Sequence, residues 1–361
     1  MTVLARDVPL LRSLVLGLAG CGAAAALRGP GALAFLAAAS AVWVVVAGTF
    51  GRLRAVGGER TPVGLATTVT LLRGWLIGAL AGLVPDLPRE GVGAWAPAIL
   101  YTAAAVCDFL DGYLARRRGE VTAVGARLDT MVDGLGLLVG SLAAVALGRL
   151  PAWYLALGAA YYLFHGGLWL RRRHNLPVHP DRMRPSLYTR QFAGCQMGLV
   201  ATALFPVLGP PGTTITAALF MAPSLALFVR DWLVVTGRLD PDRGDAWLGR
   251  LGAALVGALP RPLRVIAGAG LGALVGGGAL SPLVLVLAAF VALGVLTRLS
   301  AFAAAVAVAL LLAQQSSAIA VVTFIALVAL LLTGAGPAAL FSPEDRLMLR
   351  RAGEPPIRER A

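Results

Sequence analysis

Between Cys107 and Gly134 the chain reads CDFLDGYLARRRGEVTAVGARLDTMVDG. It holds four carboxylates, Asp108, Asp111, Asp129 and Asp133, in a chain of which only 14% is charged. On a helix, Asp108 and Asp111 share one face with Gly112 beside them and Ala115 one turn beyond. Gly125, Asp129 and Asp133 then recur at four-residue spacing, and Gly136 and Gly140 continue that face. Small residues let helix backbones approach closely. Two antiparallel helices bearing these faces would aim all four carboxylates into one cavity. Acids so close resist ionising together unless a cation compensates them. Hard carboxylate oxygens suit Mg²⁺ or Mn²⁺. A pair of such ions roughly 4 Å apart activates a hydroxyl and steadies a phosphoryl group during in-line displacement. A single Asp at a helix end is more often paired with a neighbouring arginine, here Arg116 to Arg118. Four at these spacings, two of them well inside an apolar segment, are costly in lipid and point to function.

The elements that must carry these acids are membrane helices. Of 361 residues 58% are hydrophobic, and mean hydropathy is +0.80. Apolar runs of roughly 20 residues, enough to span a bilayer, recur along the chain. Backbone groups in lipid must be paired within helices or closed barrels, and alternating barrel strands are absent, so the sequence predicts an all-α polytopic membrane protein. It predicts about 12 spans: 9–27, 31–51, 63–84, 93–115, 122–148, 152–170, 188–208, 213–236, 262–278, 281–297, 299–313 and 317–335. The formal charge is +13, and every basic side chain is arginine. These arginines gather in alternate connections, which accounts for them by topology and argues against nucleic acid as a partner. By the same rule the arginine-rich side is cytoplasmic, and it holds both termini and the acid cluster. The opening segment is read as a span because no small-residue cleavage site leads into a soluble domain. Cys21, Cys107 and Cys195 lack CxxC spacing, and His165, His174 and His179 lack metal-ligand spacing.

Composition divides the chain in three. Residues 1–55 hold two spans. Residues 56–240 hold six spans and nearly all the membrane-depth acids. Residues 241–361 open with the polar linker around TGRLDPDRGDAWLGR and continue as four apolar spans and a cytoplasmic tail. No carboxylate occurs between Pro260 and Pro343.

The pattern Asp108-x2-Asp111-Gly112-x2-Ala115-Arg116-x8-Gly125-x3-Asp129-x3-Asp133 resembles the full signature of the CDP-alcohol phosphotransferase family at every position. The resemblance covers residues 56–240, whose six spans equal the six-helix core it implies. It implies transfer of a phosphatidyl or related phospho-alcohol group from a CDP-linked lipid such as CDP-diacylglycerol to a small alcohol or phosphorylated alcohol, with release of CMP. Asp108, Asp111 and Asp129 would then hold a metal pair, Mg²⁺ or Mn²⁺. Asp133 would complete that site and take the proton from the attacking hydroxyl. Gly112, with Ala115 and Gly125 in the same signature, would let the nucleotide approach, and Arg116 would contact the diphosphate. Thr122 matches a Ser/Thr position that touches the nucleotide in relatives. The run ATTVTLLRG is similar to the family's Asn-x-x-Thr-x-x-Arg entry and gives Thr70 and Arg73 donor-binding duties, with Thr67 standing where relatives often have Asn. The stretch from Gly294 to Leu347 resembles the DoxX-type four-helix membrane module, which implies a scaffolding or docking role.

The acceptor is less legible. Phosphatidylglycerophosphate synthases typically close the signature with Asp-Pro-x-x-Asp-Lys, and this chain has Thr130 and Gly134 at the two variable places, which weighs against glycerol 3-phosphate. Arg184 and Arg190, the arginines nearest the following span, are the acceptor-binding candidates, since arginine binds phosphate bidentately; Tyr188 and Gln191 stand beside them. Membrane lipid and a second copy of the chain are compatible partners. Two other readings remain open from the residues: a cation transporter using the acids as its ion site, and an inactive scaffold retaining the fold. A transporter predicts acids or broken helices in a symmetry-related half, and the last four spans carry no acids.

Overall fold

The computed structural model describes residues 8–26, 31–57, 64–183, 187–275, 281–315, 317–336 and 338–345. The described residues are mostly helical, with one isolated bridge between Val295 and Phe341 and no strand. Among the described residues seven helices are long and apolar enough to cross a membrane, and three shorter apolar helices accompany them. The chain is an all-α polytopic membrane protein. It packs as two compact units, the first containing residues 1–147 and 200–206, the second 148–199 and 207–350.

The first unit holds α1 (Val8–Ala26), α2 (Ala32–Gly57), α3 (Leu65–Leu83), α4 (Ala96–Arg118) and α5 (Ala123–Ala146). Its middle is α3, which packs against α1, α2, α4 and α5, whereas α4 and α5 touch each other little. The glycines of α3 explain how it accommodates so many neighbours. Gly74, Gly78 and Gly82 recur at four-residue spacing and meet Val46, Ala39 and Phe35 in reverse order along α2, so the two helices run antiparallel. A Cβ at Gly78 would stand 2.6 Å from the Ala39 carbonyl oxygen, and one at Gly82 would stand 2.8 Å from that of Phe35. Trp43 of α2 and Trp75 of α3 stack beside this seam, with ring centroids 5.5 Å apart.

The ends of α4 and α5 are set by local chemistry. The Glu120 amide donates to the Ala115 carbonyl (2.8 Å) and the Gly119 amide to that of Arg116 (3.3 Å). This closes α4 with a residue in the left-handed region, Gly119 at φ +68°, where a side chain would be strained. Three residues later Thr122 caps α5, its hydroxyl accepting from the Gly125 amide (3.0 Å). The short connection brings the acid-bearing end of α4 next to the acid-bearing start of α5.

The second unit holds α6 (Leu155–Gly158), α7 (Ala160–Arg173), α8 (Leu187–Leu204, its last turns belonging to the first unit), α9 (Gly212–Val235), α10 (Pro241–Gly252), α11 (Pro260–Ala273), α12 (Ser281–Leu293), α13 (Thr297–Gln314) and α14 (Ala318–Thr333). Two sequence expectations change here. The span expected at 152–170 is interrupted, a 3-10 turn and the four-residue α6 preceding α7. The expected polar linker is helical: Asp240 caps α10 by accepting from the amides of Asp242 and Arg243, and a π-helical segment, Ala253–Ala258, carries α10 into α11. Polar composition was the misleading signal, because Asp followed by Pro is an efficient helix start. Buried arginine ties the far end of this unit together. Arg264 donates to the carbonyls of Ala292, Ala335 and Ala338 at 2.9 to 3.3 Å, and Arg298 pairs with Asp345 at 2.6 Å.

Gly78→Leu tests the seam between α2 and α3. A larger side chain has only backbone to push against, so the change is expected to cost about 1–3 kcal/mol, read as a lower unfolding temperature of the purified protein in detergent. An unchanged temperature would show that α2 yields freely.

Candidate functional site

The four acids come from two helices, and a third helix supplies their partners. Asp108 and Asp111 come from the last turns of α4, and Asp129 and Asp133 from the first turns of α5. Thr70 and Arg73 reach them from α3. Glycines again set the distances. Gly136 of α5 faces Ile77 of α3, where a Cβ would lie 3.3 Å from its side chain. Gly140 faces Tyr101 of α4, where a Cβ would fall 2.4 Å from the ring. The glycines that looked like general small-residue packing thus have particular partners, Gly136 on the α3 side and Gly140 on the α4 side.

Arg73 sits at the centre. Its Nη1 donates to Asp108 Oδ1 at 2.7 Å and to Asp129 Oδ1 at 2.8 Å, and lies 3.6 Å from Asp111 Oδ2. Its Nη2 donates to Asp133 Oδ1. The side chain is 3% exposed, so these contacts are made out of water. Among the described residues one positive charge pairs with the four carboxylates, and the balance of these five groups stays strongly negative if all are ionised. Asp111 forms the buried base of the cluster and accepts from the Thr70 hydroxyl at 2.7 Å. The side chains of Asp108, Asp129 and Asp133 are 30 to 41% exposed, so the cluster is open on one side.

These residues fit a divalent cation. Asp108, Asp111 and Asp129 each offer an oxygen, and the three oxygens lie within 4.8 Å of one another. All are hard donors, the charge surplus is negative, and one side is open, as Mg²⁺ or Mn²⁺ coordination with room for a phosphate requires.

Residues 63–237 match the family model of CDP-alcohol phosphatidyltransferase. The chain carries a CDP-alcohol phosphatidyltransferase domain. It is similar to curated proteins named CDP-diacylglycerol–glycerol-3-phosphate 3-phosphatidyltransferase. That of Salmonella choleraesuis (strain SC-B67) is 36% identical over 99 residues, 27% of this chain and 50% of the relative. That of Salmonella typhi is 37% identical over 70 residues, 19% and 37% of the two chains. That of Sodalis glossinidius is 36% identical over 69 residues, 18% and 37%. The chain spans half the length or less of these curated relatives. No solved structure matches it at a comparable level.

Other expected residues of the phosphatidyltransferase domain fall into place unevenly. Arg116 lies along α4 over Gly112, where a Cβ would stand 3.1 Å from its Nη1; any side chain at Gly112 crowds that guanidinium. Ala115 supplies the carbonyl that ends α4, and Thr122 and Gly125 make the cap of α5, so each has a structural duty in setting the cluster. Arg184 lies outside the described residues, and Arg190 is described only by its place in the first turn of α8. Gln191 donates to the Leu332 carbonyl at 3.1 Å. Sequence reasoning missed Tyr101. It is buried on α4 within electrostatic reach of Asp133, Asp108 and Arg73. The available signal was its place two turns before Asp108, on the same helical face.

Thr70→Val keeps the shape of the side chain and removes the donor to buried Asp111. The loss is expected to destabilise the protein by about 1–3 kcal/mol, with Thr70→Ser close to wild type. Equal unfolding temperatures for all three proteins would show that the hydroxyl contributes nothing.

Proposed function

We propose that this protein makes phospholipid by transferring a phosphatidyl or related phospho-alcohol group from a CDP-linked lipid, of the CDP-diacylglycerol type, to a small alcohol or phosphorylated alcohol. The observation that carries the reading is the convergence of Asp108, Asp111, Asp129 and Asp133 on one open-sided cluster within the matched domain. In the reaction the acceptor hydroxyl attacks the phosphorus that bears the lipid. The new oxygen–phosphorus bond forms as the bond to CMP breaks, and CMP leaves with the electron pair.

Asp108, Asp111 and Asp129, completed by Asp133, would hold Mg²⁺ or Mn²⁺, two ions in the full site. Bound there, the metal supplies positive charge against the diphosphate and lowers the barrier to in-line displacement. Asp133, a third exposed, takes the hydroxyl proton as the acceptor attacks. Arg116 stabilises charge on the departing CMP, and Gly112, having no side chain, leaves room for the nucleotide. Thr70 orients Asp111 so that an oxygen stays directed at the cluster. Thr122 and Gly125 border the nucleotide at the start of α5, and Arg190 and Arg184 serve a phosphorylated acceptor. The catalytic domain is residues 56–240, flanked by the helices of 1–55 and the module of 241–361. Its acid cluster lies on the cytoplasmic side of the cell membrane, with both termini.

The relatives' names include glycerol 3-phosphate as acceptor, whereas Thr130 and Gly134 depart from the pattern of phosphatidylglycerophosphate synthases. An assay across acceptors resolves this: membranes containing the protein, labelled CDP-diacylglycerol, and glycerol 3-phosphate, inositol phosphate, serine or another alcohol singly, each with Mg²⁺ or with EDTA. CMP release with one acceptor, abolished by EDTA, is the expected result. No release with any acceptor would count against the transferase reading.

Asp133→Asn tests the proposed base. Turnover is expected to fall about 100-fold or more, while CDP binding by the purified protein changes little. Wild-type turnover in that variant would remove Asp133 as the base.

A further inference from the structure

We infer that Arg73 is an exchangeable counter-cation: it holds the four carboxylates assembled when no metal is bound, and a divalent cation displaces its guanidinium toward the diphosphate of the donor. The inference deepens the reading above and rests on its metal site. Nη1 lies among oxygens of Asp108, Asp129 and Asp111, at 2.7, 2.8 and 3.6 Å. Those three residues are the ones whose oxygens gather within 4.8 Å of one another. A guanidinium nitrogen and a divalent ion therefore compete for one set of donors. Both cannot be seated there, because positive charges only a few ångströms apart in a water-poor site repel strongly.

Two features make Arg73 a poor permanent tenant. Its Nε is buried with no hydrogen-bond partner among the described residues, although every other contact of the group is charge-assisted. Leaving such a donor unmet costs stability that a static structural arginine would be expected to recover. Three of its four partners are also open on one side, which gives the guanidinium somewhere to go. Once displaced, its planar fork of N–H groups is freed for bidentate capture of the donor's phosphate oxygens, whose negative charge then lies between it and the cation. Metal entry would then create a donor-binding group, and the order of binding would be metal first, nucleotide second. Without Arg73, the cluster would lose its only contacting cation among the described residues and bind metal more tightly, at the expense of the nucleotide.

The test uses the purified full chain in lipid nanodiscs and reads binding by Mn²⁺ paramagnetic resonance. Arg73→Gln is expected to bind Mn²⁺ about tenfold more tightly than wild type and, with Mn²⁺ present, to bind CDP about tenfold more weakly. Arg73→Lys, which keeps the charge, should bind Mn²⁺ close to wild type. Unchanged or weaker Mn²⁺ binding by Arg73→Gln would overturn the exchange while leaving the metal site standing; absence of Mn²⁺ binding in every protein would overturn both. Should the glutamine variant fail to fold, the wild type decides by itself. An arginine-specific dicarbonyl reagent, followed by peptide mass spectrometry, should leave Arg73 unmodified in EDTA, modify it in Mn²⁺, and spare it again when CDP is added. Protection of Arg73 in both EDTA and Mn²⁺ would refute displacement.

Discussion

Four carboxylates brought within reach of one another must be compensated, and in this protein part of the compensation comes from a third helix. Arg73 of α3 contacts the acids of both α4 and α5. Because α4 and α5 touch each other little, the cluster depends on α3 for its cohesion. Much of the first unit can be understood as what is needed to bring α3 that close. Glycines on one side of α3 admit α2 almost to backbone contact, and Gly136 admits the Ile77 side chain against α5.

That arrangement gives α2 a physical part in supporting the acid cluster even though the family match begins at residue 63. The sequence showed two apolar spans with nothing polar to interpret. Packed, α2 lies along the glycine face of α3 and so supports the helix that carries Thr70 and Arg73. The later helices meet a different demand. Arg264 and Arg298 satisfy backbone carbonyls and Asp345, so arginines that looked like topology signals also close the ends of helices.

Local chemistry and long-range packing divide the work at the cluster. Gly119 and Thr122 stop one helix and start the next with few residues between, and that much depends on neighbours in the chain. The separation of the four acids, by contrast, depends on Gly136, Gly140, Tyr101 and Ile77, residues whose meaning exists only once three helices are in contact. The open flank of Asp108, Asp129 and Asp133 beside a buried Asp111 is likewise a property of packing.

From sequence alone one can read the membrane-helical class, the four acids and their faces, and the signature from Asp108 to Asp133, because apolar length, helical periodicity and fixed spacing are all local quantities. Sequence could not tell that Arg73 belongs among the acids, since 35 residues separate it from Asp108 and the family resemblance implied only a donor contact. Nor could it show Tyr101 at the cluster, or the helical course of the segment after Asp240. Those were decided by tertiary structure, for one reason: a buried charge takes the partner that packing brings to it, and packing joins residues that are remote along the chain.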